Sequence, residues 1–346
     1  DGQQANTKII NINVEEKPTG EISLGAGVGS EGGTIGFAVA ENNFLGKGVR
    51  MDTSLRLTDD TVRGTFSVNN PNFNYSNKSL RTTLESTAID KMTDNGYETT
   101  KTGFSIGTGF EQYENTYFRP SFSTYFEDLT TNSKASDNLK KQSGSYSDTK
   151  FNYNLDFDNR NQRFQTSEGS RFVFAQGIPL ISEEYSLMNS IDFQRWMKFN
   201  NDVITSIGVY GRMINSVSDE NVRITDRLGL PRKKLKGFQY GAIGPVDAGD
   251  YVGGNYATAI NFTSSLPMIM PSFETIDFKY FVDIGNVWGV DYSSTIDDSN
   301  KIRSSTGLGV DWFTPIGPMT FSLAQDFSKA SSDKTEGFQF NLGTTF

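Results

Sequence analysis

Apolar residues recur at every second position through most of the 346 residues, and that period is what constrains the fold. In FNYNLDFD, Phe151, Tyr153, Leu155 and Phe157 alternate with Asn152, Asn154, Asp156 and Asp158. In ETIDFKYFVDIG, Ile276, Phe278, Tyr280, Val282 and Ile284 take one face, and Asp277, Lys279 and Asp283 take the other. GFQFNLGTTF sets Phe338, Phe340, Leu342, Thr344 and Phe346 against Gln339, Asn341, Gly343 and Thr345. Successive side chains of a strand point to opposite sides, so each stretch reads as a strand with one apolar and one polar face. Helical periodicity is almost absent.

The pattern predicts strands over 21–29, 33–40, 48–58, 61–69, 79–89, 101–110, 116–127, 146–157, 169–178, 185–197, 203–214, 254–264, 274–285, 303–311, 317–326 and 337–346. They number sixteen, and an even count returns the chain to the side where it began, as a single-chain outer-membrane barrel requires. The connections alternate in character. NNFLGKG, EQYEN, FNND and TPIGP are tight, whereas DLTTNSKASDNLKKQSGSYS, VDYSSTIDDSNK and SKASSDKTE are long and polar. The expected fold is therefore all-β: a 16-stranded antiparallel transmembrane β-barrel with short turns on one side and long loops on the other.

No segment approaches 18 consecutive apolar residues, which leaves neither a transmembrane helix nor a signal-peptide core. A mean hydropathy of −0.47 looks soluble, yet strands with one lipid face and one wet face average to the same value. A soluble sandwich or propeller also alternates, but no blade-length repeat is visible and several strands reach ten residues or more. Trp196, Trp288 and Trp312 near strand ends suit interfacial girdles or ordinary packing.

The chain has no Cys and no His. That excludes disulfides, thiolate metal sites, His-based zinc centres and Ser-His-Asp or Cys-His catalysis. No catalytic residue, metal or cofactor is expected. A net charge of −9 argues against nucleic acid as a partner. Gly27-Val28-Gly29-Ser30-Glu31-Gly32 has the spacing of a phosphate-binding loop, but a strand follows where that loop needs a helix. DFDNRNQRFQTSE (156–168) suggests a calcium loop, but Arg160 stands at a ligand position. Asp59-Asp60 and Asp297-Asp298 read as solvated loop tips.

Two segments stand outside the strand pattern. TKIININVEEKPTG alternates Ile10, Ile12 and Val14, breaks at Pro18, and reads as the last strand of a preceding domain that runs into the barrel at Gly20. Residues from about 216 to 253 form the longest interval between strands and contain RKKLKGFQYGAIGPVDAGD. Leu228, Leu230, Leu235, Phe238, Tyr240 and Ile243 make this loop too apolar for solvent, and its glycines make it a poor helix. Folding into the lumen resolves both.

These segments carry a resemblance. LKGFQYGAIGP is similar to the Val-Arg-Gly-Phe motif, followed by Gly-Pro, in the sixth extracellular loop of the BamA family of outer-membrane β-barrel assembly proteins. VDIGNVW (282–288) resembles the strand on which that motif docks. PTGEISLGAGVG and NNFLGKG resemble the family's barrel start and first periplasmic turn, and GFQFNLGTTF its last strand. The matches span nearly the whole chain in order. The resemblance makes residues 1–19 a remnant of the last periplasmic POTRA domain and residues 20–346 the barrel.

Two positions depart from the family motif: Lys236 replaces its arginine and Leu235 its valine. The loop-docking residues implied are Leu235, Lys236, Gly237, Phe238, Gly244 and Pro245, with Asp283 as the lumen partner of Lys236. Arg232, Lys233 or Lys234 could supply the grip instead, because an ammonium cannot match a planar guanidinium. The seam between first and last strands is implied at Glu21, Ser23, Gly25, Gly27, Gly29, Phe338, Phe340, Leu342, Gly343 and Phe346. Its glycines either weaken pairing or mark bends needed for closure.

The function implied is assembly and insertion of client β-barrels into the outer membrane of a diderm bacterium. The seam opens and its free edge templates client strands. Phe338, Phe340 and Phe346 read either as part of the aromatic band that in this family thins the bilayer or as lipid-facing packing. Partners implied are client barrel proteins, accessory assembly lipoproteins, periplasmic chaperones and membrane lipid. The alternatives are a superfamily secretion pore that exports a partner protein and a passive diffusion porin.

Overall fold

The computed structural model describes residues 10, 12–163, 165–199, 203–267, 269, 275–315 and 317–343. Sixteen strands close into one antiparallel barrel. The first eight are β1 (Gly20–Gly29), β2 (Gly32–Phe44), β3 (Val49–Thr58), β4 (Thr61–Asn70), β5 (Ser79–Lys91), β6 (Tyr97–Tyr113), β7 (Thr116–Thr131) and β8 (Gly144–Asp158). The second eight are β9 (Gly169–Ser182), β10 (Ser186–Lys198), β11 (Ile204–Ser216), β12 (Tyr256–Ser265), β13 (Ile276–Trp288), β14 (Arg303–Thr314), β15 (Gly317–Ser328) and β16 (Phe338–Gly343). Each pairs with its neighbours in sequence, and β1 closes on β16. Among the described residues no helix is long and apolar enough to cross a membrane.

The alternation places side chains as the period requires. On β13, Tyr280 and Ile284 are exposed on the outer wall while Asp283 is fully buried inside. Ile22, Leu24, Ile35, Phe37, Leu84, Phe104 and Phe122 are likewise exposed. So wide an apolar outer surface would drive aggregation in water and is what lipid requires. β6 and β7 outrun the expected strands because the ladder continues through polar pairs, Glu98 with Thr130 and Thr100 with Asp128. A rim that clears the membrane needs backbone pairing but no apolar face.

The described residues before Gly20 form no strand, and Ile10, Ile12 and Val14 stay exposed, because no described residue offers them a ladder. Trp196 is no girdle residue: it lines the lumen cavity, with the Arg160 guanidinium 5.6 Å from its ring centroid. Trp288 instead stacks on Tyr256 at 5.4 Å. The calcium-like stretch closes on itself, since Arg160 donates to both carboxylate oxygens of Asp158 at 2.7 Å.

Candidate functional site

The segment between β11 and β12 folds into the lumen and builds a core there. Val222, Leu228, Leu230, Leu235, Phe238 and Ile243 bury against Tyr210, Ile214, Ala257, Ala259 and Val287 of the wall. The loop also carries a two-residue ladder, Val246–Asp247 with Asp250–Tyr251. Two glycines take conformations that a side chain resists. Gly237 has φ +88° and a Cβ there would lie 3.0 Å from Ala324; Gly244 has φ +100° and its Cβ would lie 3.0 Å from Val287. Both therefore let the loop backbone lie against the wall.

Lys236 and Asp283 meet. The Lys236 Nζ donates to Asp283 Oδ2 at 2.7 Å, and the Lys236 backbone N–H donates to the same oxygen at 3.1 Å. Asn261 donates to Oδ1 at 2.7 Å. The backbone N–H thus supplies the second donor that a single ammonium lacks. The Lys236 ammonium also sits 4.3 Å from the Phe281 ring centroid. Ser305, beside a register shift in β14, donates to the Lys236 carbonyl at 2.5 Å. The other basic residues go elsewhere: Lys234 to Asp192 at 2.6 Å, and Arg232 to Glu31 and Glu336.

Phe238 is buried and leads to the last strand. Gln339 of β16 donates to the Phe238 carbonyl at 2.8 Å and accepts from the Gly237 N–H at 3.3 Å. The Glu336 N–H donates to the Gly237 carbonyl at 2.9 Å. Pro245 is fully buried, and its carbonyl accepts from Val252 at 3.1 Å.

Further out, Arg223 is 1% exposed and pairs with Asp148 at 2.5 Å, with Glu127, Glu184 and Asp226 at 3.5–3.8 Å. Lys101 and Lys150 reach Glu127 and Asp226. Three cations thus face four carboxylates. Burial pushes Glu184 up to about 7 against the pull of Arg223, with Asp226 and Asp148 adding to the rise. Burial also raises Asp226, but Lys150, Lys101 and Arg223 outweigh it and hold that carboxyl well below the usual range. Arg227 pairs with Asp291 and donates to Asn255 at 2.7 Å. These arginine anchors escape a sequence reading, because partners such as Asp148 lie far away along the chain.

Among the described residues, β1 pairs with β2 through ten positions, Gly20 to Gly29, and with β16 through three: Gly27 with Gly343, Val28 with Leu342, and Gly29 with Asn341. Ser30 adds two bonds to Phe340, its N–H donating to the carbonyl and its hydroxyl accepting from the N–H, both at 3.0 Å. Of the implied seam residues, Glu21, Ser23 and Gly25 pair with β2 alone among the described residues, and Phe338 pairs with Leu323 of β15. Phe338 and Phe340 stack, with ring centroids 5.9 Å apart. Phe346 lies outside the described residues. Gly29 has a definite steric role, since a Cβ there would lie 2.8 Å from the Phe340 carbonyl oxygen. A cavity of about 1250 Å³ lies behind the seam and is lined on its two edges by Val28, Gly29, Phe340 and Asn341.

Residues 43–346 match the Omp85 superfamily domain. "Outer membrane protein assembly factor BamA" of Neorickettsia risticii (strain Illinois) is 24% identical, over 100% of this chain and 47% of that protein. The protein of the same name from Neisseria meningitidis serogroup B is 25% identical, over 97% and 48%. The chain spans about half the length of these curated relatives. Among solved structures, BamA from Haemophilus ducreyi lacking POTRA domains 1–3 superposes with a TM-score of 0.89 at 22% identity, covering 96% of this chain and 71% of that one. CdiB from Acinetobacter baumannii gives 0.57 at 12% identity, covering 93% and 59%.

Proposed function

The chain belongs to the Omp85 superfamily, and from that premise we propose that this barrel assembles other β-barrel proteins into the membrane it occupies. It is an integral β-barrel of the outer membrane. The observation that carries the reading is that, among the described residues, β1 pairs with β16 through three positions and with β2 through ten. Parting that seam frees a row of N–H and C=O groups on β1. A client strand adds to this edge as a further strand of the sheet. Ile22 and Leu24 on the outer face keep the growing sheet against lipid, and the cavity behind the seam takes the client's lumen-facing side chains. No covalent bond changes, so binding and templating suffice.

Residues 1–19 read as the end of a periplasmic POTRA domain, and clients, accessory lipoproteins and periplasmic chaperones are the partners proposed. A secretion pore is the weaker reading. Clearing the lumen for an exported chain requires breaking Lys236–Asp283, the Arg223 cluster and the apolar core of the loop together.

The test uses the absence of cysteine from these 346 residues. The full-length protein carrying Val28→Cys and Leu342→Cys is oxidised, reconstituted, and assayed for insertion of a client barrel. Insertion is expected to stop on oxidation and to return on reduction. Equal insertion by the locked and reduced forms would refute the seam mechanism.

A further inference from the structure

The bonds that hold the loop are distributed unevenly about the seam. On the β16 side, Gln339, Glu336 and Ser305 all bind the loop backbone, and Phe238 forms a bridge with Thr335. On the β1 side, among the described hydrogen bonds and ion pairs, one contact reaches from the loop to the first hairpin: Arg232 to Glu31. Its Nε lies 2.8 Å from Glu31 Oε1, while Nη1 of the same guanidinium binds Glu336. Glu31 follows β1 just beyond the last seam pair, and Glu336 lies two residues before β16. One side chain of the lumen loop therefore spans the end of the seam that lies beyond Gly29.

We propose that Arg232 is a clasp that sets how readily the seam opens. The geometry suits the task. A guanidinium presents several donors in a fixed plane and holds two carboxylates at once, which an ammonium does less well. Without it, Glu31 and Glu336 become two like charges at the end of a joint whose described residues pair at three positions, with two further bonds from Ser30 to Phe340. Exposure also fits a device that lets go: the side chains are 18% exposed for Arg232, 55% for Glu31 and 29% for Glu336. Partly wet ion pairs are modest and are screened by salt, whereas Lys236–Asp283, whose carboxylate is fully buried, is screened much less. The seam can thus release Glu31 while the loop stays seated. Read as control of client entry, the clasp rests on the function proposed above; read as control of seam closure, it stands without it.

The experiment reads closure and involves no client. Val28→Cys and Leu342→Cys are placed in the full-length protein, and the equilibrium disulfide fraction in a glutathione buffer gives the effective concentration of one thiol for the other. Arg232→Gln is expected to lower that concentration by about fivefold, the order of a partly exposed ion pair. Glu31→Gln, a change on an exposed hairpin tip, should lower it similarly. The double substitution should go no lower than the worse single one, and Arg232→Lys should fall between wild type and Arg232→Gln. Raising the salt should narrow the gap between wild type and Arg232→Gln, by screening the ion pairs in the first and the Glu31–Glu336 repulsion in the second. The clasp is overturned if Glu31→Gln leaves the thiol concentration unchanged, or if the two substitutions act additively. Loss of client insertion under the locked seam, tested separately, would not rescue it.

Discussion

Asp283 Oδ2 accepts from Lys236 twice, at 2.7 Å from Nζ and 3.1 Å from the backbone N–H, while Asn261 serves Oδ1 at 2.7 Å. The carboxylate has no exposure, whereas the Lys236 side chain retains 23%. The burden of the pair therefore falls on the acid.

Removing the lysine should cost more than neutralising the aspartate. Lys236→Met leaves a buried charge with only neutral donors and should destabilise the barrel by about 3 kcal/mol. Asp283→Asn keeps shape and should cost about 1–2 kcal/mol. The double variant should recover part of the Lys236→Met loss. Heat-modifiable gel mobility of the folded barrel measures all three, and equal costs for the two single variants would show that charge is not what the pair balances.

Gly244 should not tolerate alanine. Its φ of +100° costs a side chain about 1–2 kcal/mol, and the new Cβ would press on Val287 at 3.0 Å. Gly241 is the control: its φ is +72°, with nothing within 4 Å of a Cβ. The expected order of melting temperatures is wild type, then Gly241→Ala, then Gly244→Ala; matching values for the two variants would remove packing as the reason.

Gln339→Leu should loosen the loop without unfolding the wall. It strips the Phe238 carbonyl and the Gly237 N–H of their side-chain partner, an expected loss of about 1–3 kcal/mol. Hydrogen exchange across 235–245 should accelerate, and protection of β7 and β8 should not change. Acceleration in both places would mean a global effect.

The outer end of the lumen should weaken as pH rises towards neutrality. Glu184 stands at about 7 in the folded protein against an ordinary 4.5, so the folded state binds its proton more tightly. Stability from this group is complete below about 4.5 and is lost as pH climbs through 7. Proteolysis of the loop around Arg223 should therefore increase over that window, and Glu184→Gln should flatten the profile. An unchanged profile in that variant would point to another group.

Strand positions were legible because burial on one face writes itself into the chain at every second residue, as Phe151 to Asp158 and Ile276 to Ile284 demonstrate. The parity of β13 also placed Asp283 inside, within reach of a loop too apolar for solvent. The ends of β6 and β7 were not legible, since the rim pairs through Glu98, Thr130 and Asp128 without apolar alternation. Nor were the partners of Arg232 and Lys234: Glu31 and Asp192 are chosen by where the wall passes the folded loop, and no local pattern records that. Among the described residues before Gly20, the alternation of Ile10, Ile12 and Val14 forms no ladder, because a strand needs a neighbour as well as a pattern.

The uneven anchoring of the lumen loop has a consequence for the cell's permeability. Apart from the one contact at Glu31, its described bonds run to β5 and beyond, so the loop travels with that part of the wall if β1 swings outward. Under the function proposed above, the plug then stays in place while the side of the cylinder parts, and the envelope need not leak to large toxic solutes as a protein is admitted sideways into the bilayer.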